Sequence, residues 1–567
     1  MLRFPSVAWT RREFLAASAG LVAGACTGGG SGAKTAATSA ATSGTTTTTL
    51  TGAAANATAH AAAGAGAVPK TSAFPQFDHL VVLMLENRSF DNMLGYLYQP
   101  NQVPPGQHFD GVAGKNLSNL GPNGPVPVSP GTVMDNPNPD PGEEYPHINT
   151  DLFDTVLPPG NASKTVPDMA APFNAPTPLP DPAAMSGFVH DYINTFTVSQ
   201  GRAPTPAEYS IIMSCFPPDA VPVISTLAKG FAVADHWFCE VPSQTFCNRS
   251  FFHAGSSSGF TNNEPYQKFP FDNTATTVFD RLVSAGISWN VYFDIQDFFS
   301  LTYLIHFRKL WDRLGSNFPL MDQFYADVKN GNLPAYSFVE PRLLLNHNDE
   351  HPPAPLIGNW VPTSNVLAGE QLIADVYNAI RTSSSPKGNN WRNTALLITY
   401  DEGGGCYDHV SPPSAPAPSP GPTPPPGEED FTFTRLGERV PAVLVSAYTQ
   451  QGTIVNAPMR HTAVIRTMSE KWGLHPLTQR DQTAPDLTPF FNRSTPRPVN
   501  SWPLVHPRPV PANPDANASA EPLNELQRDL IGAADAAVGP PNPAAVHNLQ
   551  TVGDGVAYLQ QKYPRRQ

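Results

Sequence analysis

Carboxylates standing at the ends of apolar runs are the groups in this sequence best placed to do chemistry. The run His79–Leu85 stops at Glu86-Asn87-Arg88-Ser89-Phe90-Asp91, and the run Thr394–Tyr400 stops at Asp401-Glu402-Gly403-Gly404-Gly405. Both runs have the leucine and β-branched content of a strand buried on both faces. Open parallel sheets bind ligands outside the carboxyl ends of their strands. The carboxylates at these two strand ends, Glu86 with Asp401 and Glu402, are therefore expected to meet in one hard-cation site assembled by the fold. Taken singly, either acidic pair is more simply a solvated turn or a helix cap. It is the recurrence of the pattern at other strand ends that favours the site.

A third apolar run, 231–234, leads through Asp235-His236-Trp237 into Cys239-Glu240-Val241-Pro242-Ser243-Gln244-Thr245-Phe246-Cys247-Asn248-Arg249-Ser250. A helix is expected over 246–254, closed by Gly255. A hydroxyl just ahead of a helix sits where backbone N–H groups favour an anion such as phosphate. A neighbouring divalent cation would also lower the cost of ionising that hydroxyl. Local sequence alone favours an ordinary N-cap, with Thr245 or Ser243 accepting from the first turn. A fourth strand, 335–339, ends at Glu340-Pro341 and is followed by Asn348-Asp349-Glu350-His351-Pro352-Pro353.

Those elements need a scaffold, and the chain is long enough to supply one. Its 567 residues divide into three expected parts. Residues 1–26 resemble an export signal: Arg11-Arg12 opens a twin-arginine pattern, and the apolar stretch 15–25 is too short to span a bilayer. Cys26 is a candidate for lipidation after cleavage, which would leave a lipid anchor. Residues 27–70 are almost wholly Ala, Thr, Gly and Ser, too poor in large apolar side chains to offset their ordering entropy, and are expected to form a disordered tether. Residues 71–567 are expected to form a single domain with long Pro-rich loops and a C-terminal helical extension. The 64 prolines gather in stretches such as 101–141, 158–182 and 412–426, which read as excursions from a compact scaffold.

A formal charge of −13 with no basic run argues against a nucleic-acid partner. Beyond Cys26 there are Cys215, Cys239, Cys247 and Cys406, none at zinc-knuckle spacing. Two disulfides or four reduced buried thiols are both compatible with an exported chain.

The run Glu86-Asn87-Arg88-Ser89-Phe90-Asp91-Asn92-Met93-Leu94-Gly95 resembles the opening signature of the bacterial phospholipase C and acid phosphatase family, within the alkaline phosphatase-like superfamily. Asp401-Glu402-Gly403-Gly404-Gly405-Cys406-Tyr407-Asp408-His409-Val410 resembles its second signature, and Leu436-Gly437-Glu438-Arg439-Val440-Pro441 a third. The resemblance implies an α/β fold, a doubly wound sheet sandwiched by helices around an alkaline phosphatase-like core. It places Glu86, Asn87, Asp401, Glu402 and the nucleophile on one divalent metal ion of unknown identity. The family's nucleophile stands three residues before an Asn-Arg pair. Asn248-Arg249 thus points to Thr245, with Ser243 as the fallback because Ser243-Gln244 and Cys247 depart from the family's flanking residues.

The resemblance also implies phosphate-facing histidines. Pro146-His147 is similar to the family's loop histidine, a register supported by Met185-Ser186-Gly187-Phe188. His351 matches the histidine before the paired prolines, with His347 as its alternate. His461 matches a recurrent position but reads equally as a helix-terminal residue fixing a loop, and His409 reads as structural. Phosphate esters repel nucleophiles, so positive charge and an aligned attacker are what catalysis must supply. The expected function is a metal-dependent phosphoester hydrolase, phospholipase C-like, acting on a phospholipid or small phosphate ester through a phosphothreonine. An acid phosphatase on the same site is the alternative among enzymes. A surface-tethered binding protein without turnover is the alternative from another class, opposed by the cost of retaining buried carboxylates without a metal.

Overall fold

Every residue of Thr394–Tyr400 and six of the seven in His79–Leu85 are buried. Successive side chains of a strand point to opposite faces, so a strand buried throughout must be covered on both. These two runs are the centre of the architecture. The computed structural model describes residues 74–354, 365–386, 389–419, 426–510 and 517–562. The expected export signal with Arg11, Arg12 and Cys26, and the segment 27–70 expected to be a tether, lie outside the described residues.

Seven described strands form the main sheet: β1 (His79–Leu85), β2 (Ala232–Ala234), β3 (Trp289–Tyr292), β4 (Tyr336–Val339), β5 (Thr394–Tyr400), β6 (Ala442–Val445) and β7 (Thr453–Val455). Their spatial order is β7-β2-β6-β5-β1-β4-β3. β5, β1, β4 and β3 run parallel, whereas β6 lies antiparallel to both β5 and β2. The sheet is therefore mixed, not the open parallel sheet whose strand-end rule the acidic turns suggest. The short strands β3 and β7 leave little signal in the sequence, because three or four residues carry too little periodicity to identify a strand.

Register decides where the acidic residues emerge. His79 pairs with Thr394, and the ladder continues without a slip to Leu85 opposite Tyr400. Glu86 and Asp401 thus leave neighbouring strands side by side at the carboxyl edge.

The helices that matter for this edge are α1 (Phe90–Leu94), α2 (Tyr145–Phe153), α3 (Phe188–Gln200), α4 (Pro222–Gly230), α5 (Thr245–Ala254), α6 (Val366–Thr382), α7 (Thr462–Trp472) and α8 (Glu525–Val538). α6 packs on α4, and the two oxygens of Glu370 accept from Val223 and Ile224 at 2.6 and 2.8 Å, capping the start of α4. α7 packs on α5. α8 starts with a capping box between Asn524 and Gln527. It seats Gly532 against Tyr266 so closely that a Cβ would stand 2.3 Å from the ring.

The Pro-rich excursion 101–141 contributes Val112 and Val126 to a satellite core. Ile148 and Leu152 of α2, Phe188 and Tyr192 of α3, and Met213 are buried together there. α2 and α3 pack as a pair, which positions the loop 140–144; His147, expected on a loop, lies in the first turn of α2. Cys215, Cys239, Cys247 and Cys406 are all buried free thiols, so the pairing left open by the sequence resolves to reduced cysteines. Among the described residues no helix is long and apolar enough to cross a membrane.

Candidate active site

The site begins at the turn after β1. Asn87 adopts φ 52°, a left-handed conformation that asparagine tolerates better than most residues. Its backbone N–H donates to Asp401 Oδ1 at 3.1 Å, and Glu402 N–H donates to the same oxygen at 2.9 Å. Gly404 closes the second turn at φ +60°, and a Cβ there would lie 2.5 Å from the Asn87 carbonyl oxygen. The glycine run thus lets the two strand-end turns nest against each other.

Thr245 is the first residue of α5, behind an extended Gln244 that makes no side-chain cap. Its Oγ1 lies 3.2 Å from Glu86 Oε2, 3.3 Å from Asn87 Oδ1 and 3.4 Å from Glu402 Oε1. A hydroxyl has one proton to give, so at least two of these oxygens face it without a donor. The Ser243 hydroxyl is committed elsewhere, donating to the Thr261 carbonyl. Asn248 holds this approach in shape. Its Oδ1 accepts from Glu240 and Val241, and its Nδ2 donates to the carbonyls of Val241, Ser243 and Gln244.

Arg249 joins the parts. Its Nη2 contacts Glu86 Oε1 and the Met84 carbonyl, the latter at 3.2 Å, and its Nε is 3.3 Å from Asp401 Oδ2. Glu86, Asp401, Glu402 and Arg249 are all buried. Burial pushes the Glu86 carboxyl well up despite Arg249, and burial together with Asp401 does the same to Glu402. Three carboxylates against one guanidinium leave the cluster short of positive charge, which a divalent cation would supply. The donors that would hold it are the oxygens of Glu86, Asn87, Asp401, Glu402 and Thr245, a set suited to a hard ion.

The histidines take different places. His461 accepts from Trp237 Nε1 at Nδ1 (3.0 Å) and donates from Nε2 to the Asp401 carbonyl at 2.6 Å. It therefore fixes the backbone beneath a carboxylate pair. His351 is buried, with Nδ1 2.7 Å from the Pro352 carbonyl. That contact sets the proton on Nδ1, so Nε2 presents a lone pair. Burial lowers its pKa to about 4. His347 contacts Asp349 Oδ1 at 2.7 Å, and that same oxygen accepts from the His351 N–H.

His147 is held at Nδ1 by Asp191, at 2.9 and 3.1 Å, with its Nε2 3.9 Å from Glu144. Burial disfavours its cation, but Asp191 overrides that and raises the pKa to about 9. None of these contacts reaches the Thr245 cluster. The aromatics near the motifs are packing groups: Tyr407 stands edge-on to Phe188 at 5.2 Å, and Tyr145 lies 5.0 Å from Phe431.

A second ring of charge braces the first. Arg439, from the third motif, donates to Asp408 Oδ1 and Asp91 Oδ1, each at 2.9 Å, and to the carbonyls of Asp110 and Asp235. His409 contacts Asp91 Oδ2 through both its backbone N–H and its ring. Asp91 follows Glu86-Asn87, and Asp408 follows Asp401-Glu402, so Arg439 clamps together the turns that bear the carboxylates. Arg249, Arg439, Asp191, Asp140 and Glu143 join the site without a role legible from the motifs alone. For the two arginines the signal was present, since each lies inside a quoted motif.

An α/β scaffold with a buried hydroxyl among carboxylates at its carboxyl edge fits the hydrolases acting on phosphoric ester bonds, the class to which the family match assigns the chain. The phosphoesterase family model matches residues 77–475, and the chain belongs to that family. It is 31% identical to non-specific phospholipase C3 of Arabidopsis thaliana over 511 residues, covering 86% of this chain and 88% of that protein. It is 26% identical to phospholipase C B of Mycobacterium tuberculosis, over 78% of this chain and 83% of that protein. Among solved structures, a protein of the alkaline phosphatase superfamily from Vibrio parahaemolyticus aligns with 47% of this chain and 64% of its own, at 11% identity and a TM-score of 0.29.

Proposed function

We propose that this protein is a metal-dependent phospholipase C-like phosphodiesterase that attacks its substrate with Thr245 and passes through a phosphothreonine. The observation that carries the reading is the convergence of Glu86, Asn87 and Glu402 oxygens on Thr245 Oγ1 within 3.4 Å. Names of relatives that specify phospholipase C support the diester over the monoester.

A divalent cation bound by Glu86, Asn87, Asp401, Glu402 and Thr245 would favour the ionised hydroxyl and neutralise phosphate charge. The chain's own residues do the rest. Asn248 and the start of α5 aim Thr245. Glu86 and Glu402 stand within reach of its proton. Arg249 keeps Glu86 and Asp401 from recoiling when the second turn closes on the first. The motif resemblance assigns His147 and His351 to the phosphate oxygens, while the contacts of His147 run to Asp191 and Glu144 rather than to Thr245. Of the two, His147 is protonated at neutral pH and suits donation to the departing alkoxide. Water then hydrolyses the phosphothreonine.

Side-by-side assays of phosphatidylcholine, a phosphodiester chromogen and a phosphomonoester chromogen test the reading. Diester turnover that is lost on chelation and in Thr245→Ala supports it. Metal binding with no hydrolysis of any of the three contradicts it, and turnover of the monoester alone would instead make the protein a phosphatase.

The route of export belongs to the same proposal. Arg11-Arg12 and the apolar stretch after them support twin-arginine export, with Cys26 as the lipid anchor. Retention of an Arg11→Lys, Arg12→Lys variant in the cytoplasm is the expected result, and unchanged export would contradict it.

A further inference from the structure

The residues on either side of Thr245 are each tied to α8 through an amide side chain. Gln244, just before it, donates from Nε2 to Glu525 Oε1, and its Oε1 accepts from the Asn263 N–H at 2.9 Å. Phe246, just after it, donates its N–H to Asn263 Oδ1 at 3.1 Å, and Asn263 Nδ2 donates in turn to Asp529 Oδ2 at 2.7 Å. Glu525 and Asp529 stand at i and i+4 of α8, so both lie on one face of that helix. Gln527 adds a hold on a neighbouring loop, donating to the carbonyls of Leu343 and Leu344 at 3.2 and 3.0 Å. α8 lies beyond residues 77–475, the span that the family model matches.

An amide side chain offers an oxygen and an NH2 group of nearly the same shape, so its neighbours decide which way it points. Burial, with Glu144 and Glu264 nearby, pushes the Glu525 and Asp529 carboxyls up. A carboxyl oxygen accepts from NH2 in either protonation state, so both still claim the NH2 end of their amide. The amide oxygens are thereby turned toward the N–H groups of Asn263 and Phe246. A flipped amide would press NH2 against N–H instead. The Phe246 N–H is one of those that a helix start leaves without an intrahelical partner, and Asn263 satisfies it where the Gln244 side chain does not. Gln244 and Asn263 are each 1% exposed and Asp529 is 2% exposed. A buried carboxyl with an amide partner gains little as a dock for a helix. It is well suited to fixing the direction of that amide.

We infer that Glu525 and Asp529 are positioning residues for the nucleophile, so that the C-terminal helix α8 belongs to the reacting centre as well as to the scaffold. The inference rests on Thr245 being the proposed nucleophile. The two relays grip the backbone on both sides of it, Glu525 through Gln244 and Asp529 through Asn263 and the Phe246 N–H. Together they fix where the first turn of α5 begins, and with it the line along which Thr245 Oγ1 approaches phosphorus. Displacing a reacting atom by about 1 Å costs on the order of 100-fold in rate. Neither carboxyl touches the substrate in this arrangement; each acts through the amide it holds.

Steady-state and single-turnover kinetics of the full chain on a phosphodiester chromogen, at saturating divalent metal, test it. Glu525→Ala and Asp529→Ala should each lower kcat by about 10–100-fold, with KM nearly unchanged and phosphothreonine formation slowed to match. Glu525→Gln and Asp529→Asn keep an oxygen for the amide and should stay within a few-fold of wild type. Asp535→Ala, which removes the acceptor for Tyr558 and the Asn542 N–H farther along α8, should lower the unfolding midpoint and leave kcat alone. If Asp529→Ala does not fold, Glu525→Ala and Gln244→Ala still probe one relay from its two ends, Glu525 being exposed in the first turn of α8. Their double variant should lose no more than either single one. Full kcat in the folded alanine variants, additive losses, or losses that Gln and Asn do not rescue overturn the positioning and leave the proposed function standing. A wild type that turns over the diester without phosphothreonine at Thr245 overturns the nucleophile itself, and the positioning with it.

Discussion

The backbone N–H of Asn87 donates to Oδ1 of Asp401 at 3.1 Å, joining positions 314 residues apart. The bond exists because β1 and β5 pair in parallel register up to Leu85 and Tyr400. Each strand releases its polar residues at the same level of the sheet edge. Everything proposed for the site depends on that level being kept.

Arg249 stands in the second turn of α5 and is the electrostatic partner of both strand ends, so its loss should be felt twice. Arg249→Met leaves Glu86 and Asp401 buried without their guanidinium, a change that typically costs about 3–5 kcal/mol. Urea unfolding at neutral pH without added metal measures it. Arg249→Lys keeps the charge but cannot reach Glu86, Asp401 and the Met84 carbonyl together. It should recover only part of the loss. Full recovery by lysine would show that charge alone, and not the three-way bridge, matters here.

The two hydroxyls near the start of α5 should separate cleanly. Ser243 is tied to the Thr261 carbonyl and Thr245 faces the carboxylates. Ser243→Ala should leave kcat within a few-fold of wild type. Thr245→Ala should lower it by roughly a thousand-fold or more, as expected for removal of a nucleophile. The reverse ranking would move the nucleophile to Ser243.

His147 and Asp191 set a pH dependence whose sign can be worked out. The folded pKa of about 9 lies above the ordinary value of 6.5 because Asp191, with help from Glu144 and Glu429, outweighs burial. The stabilisation from this pair is therefore complete below about pH 6.5 and is lost as pH rises through about 9. Asp191→Asn should destabilise the protein by about 3 kcal/mol at pH 6, with the gap to wild type shrinking toward pH 9. Thr195, within 3.3 Å of the ring nitrogen, does not titrate and leaves that trend intact. Unfolding midpoints across pH 6–10 measure it, and a gap independent of pH would contradict the pairing.

How much of this was legible in the sequence follows from what each residue does locally. Glu86, Asn87, Asp401 and Glu402 could be read because each pair ends a long apolar run, buried throughout except at His79. Thr245 could be read only through the Asn-Arg spacing after it, since its own surroundings suit an ordinary N-cap. The pairing order of the strands left no local trace, so the antiparallel β6 emerged only in three dimensions. Asp140 and Glu143 sit in a Pro-rich loop with no periodicity, and their meeting with His351 is made by tertiary packing. Asp191 looks like any polar residue of a helix until His147 is placed against it.

Arg439 gives a test of preorganisation apart from the reacting groups. It clamps Asp91 to Asp408, each on a turn that bears proposed metal ligands. Arg439→Gln should loosen those turns, raising the metal concentration needed for half-maximal activity by about 10–100-fold. Saturating metal should restore much of kcat. A fall in kcat that metal cannot rescue, with metal affinity unchanged, would show that Arg439 acts on something other than the ligand turns.

The central claim is that Thr245 carries the phosphoryl group during turnover. Rapid acid quench of the wild-type enzyme with a phosphodiester substrate, followed by peptide mass spectrometry, tests it most directly. The account predicts a phosphothreonine at Thr245, formed before product release and absent from Thr245→Ala. A phosphoryl group on another residue, or a pre-steady-state burst of alcohol product with Thr245 unmodified, would contradict it.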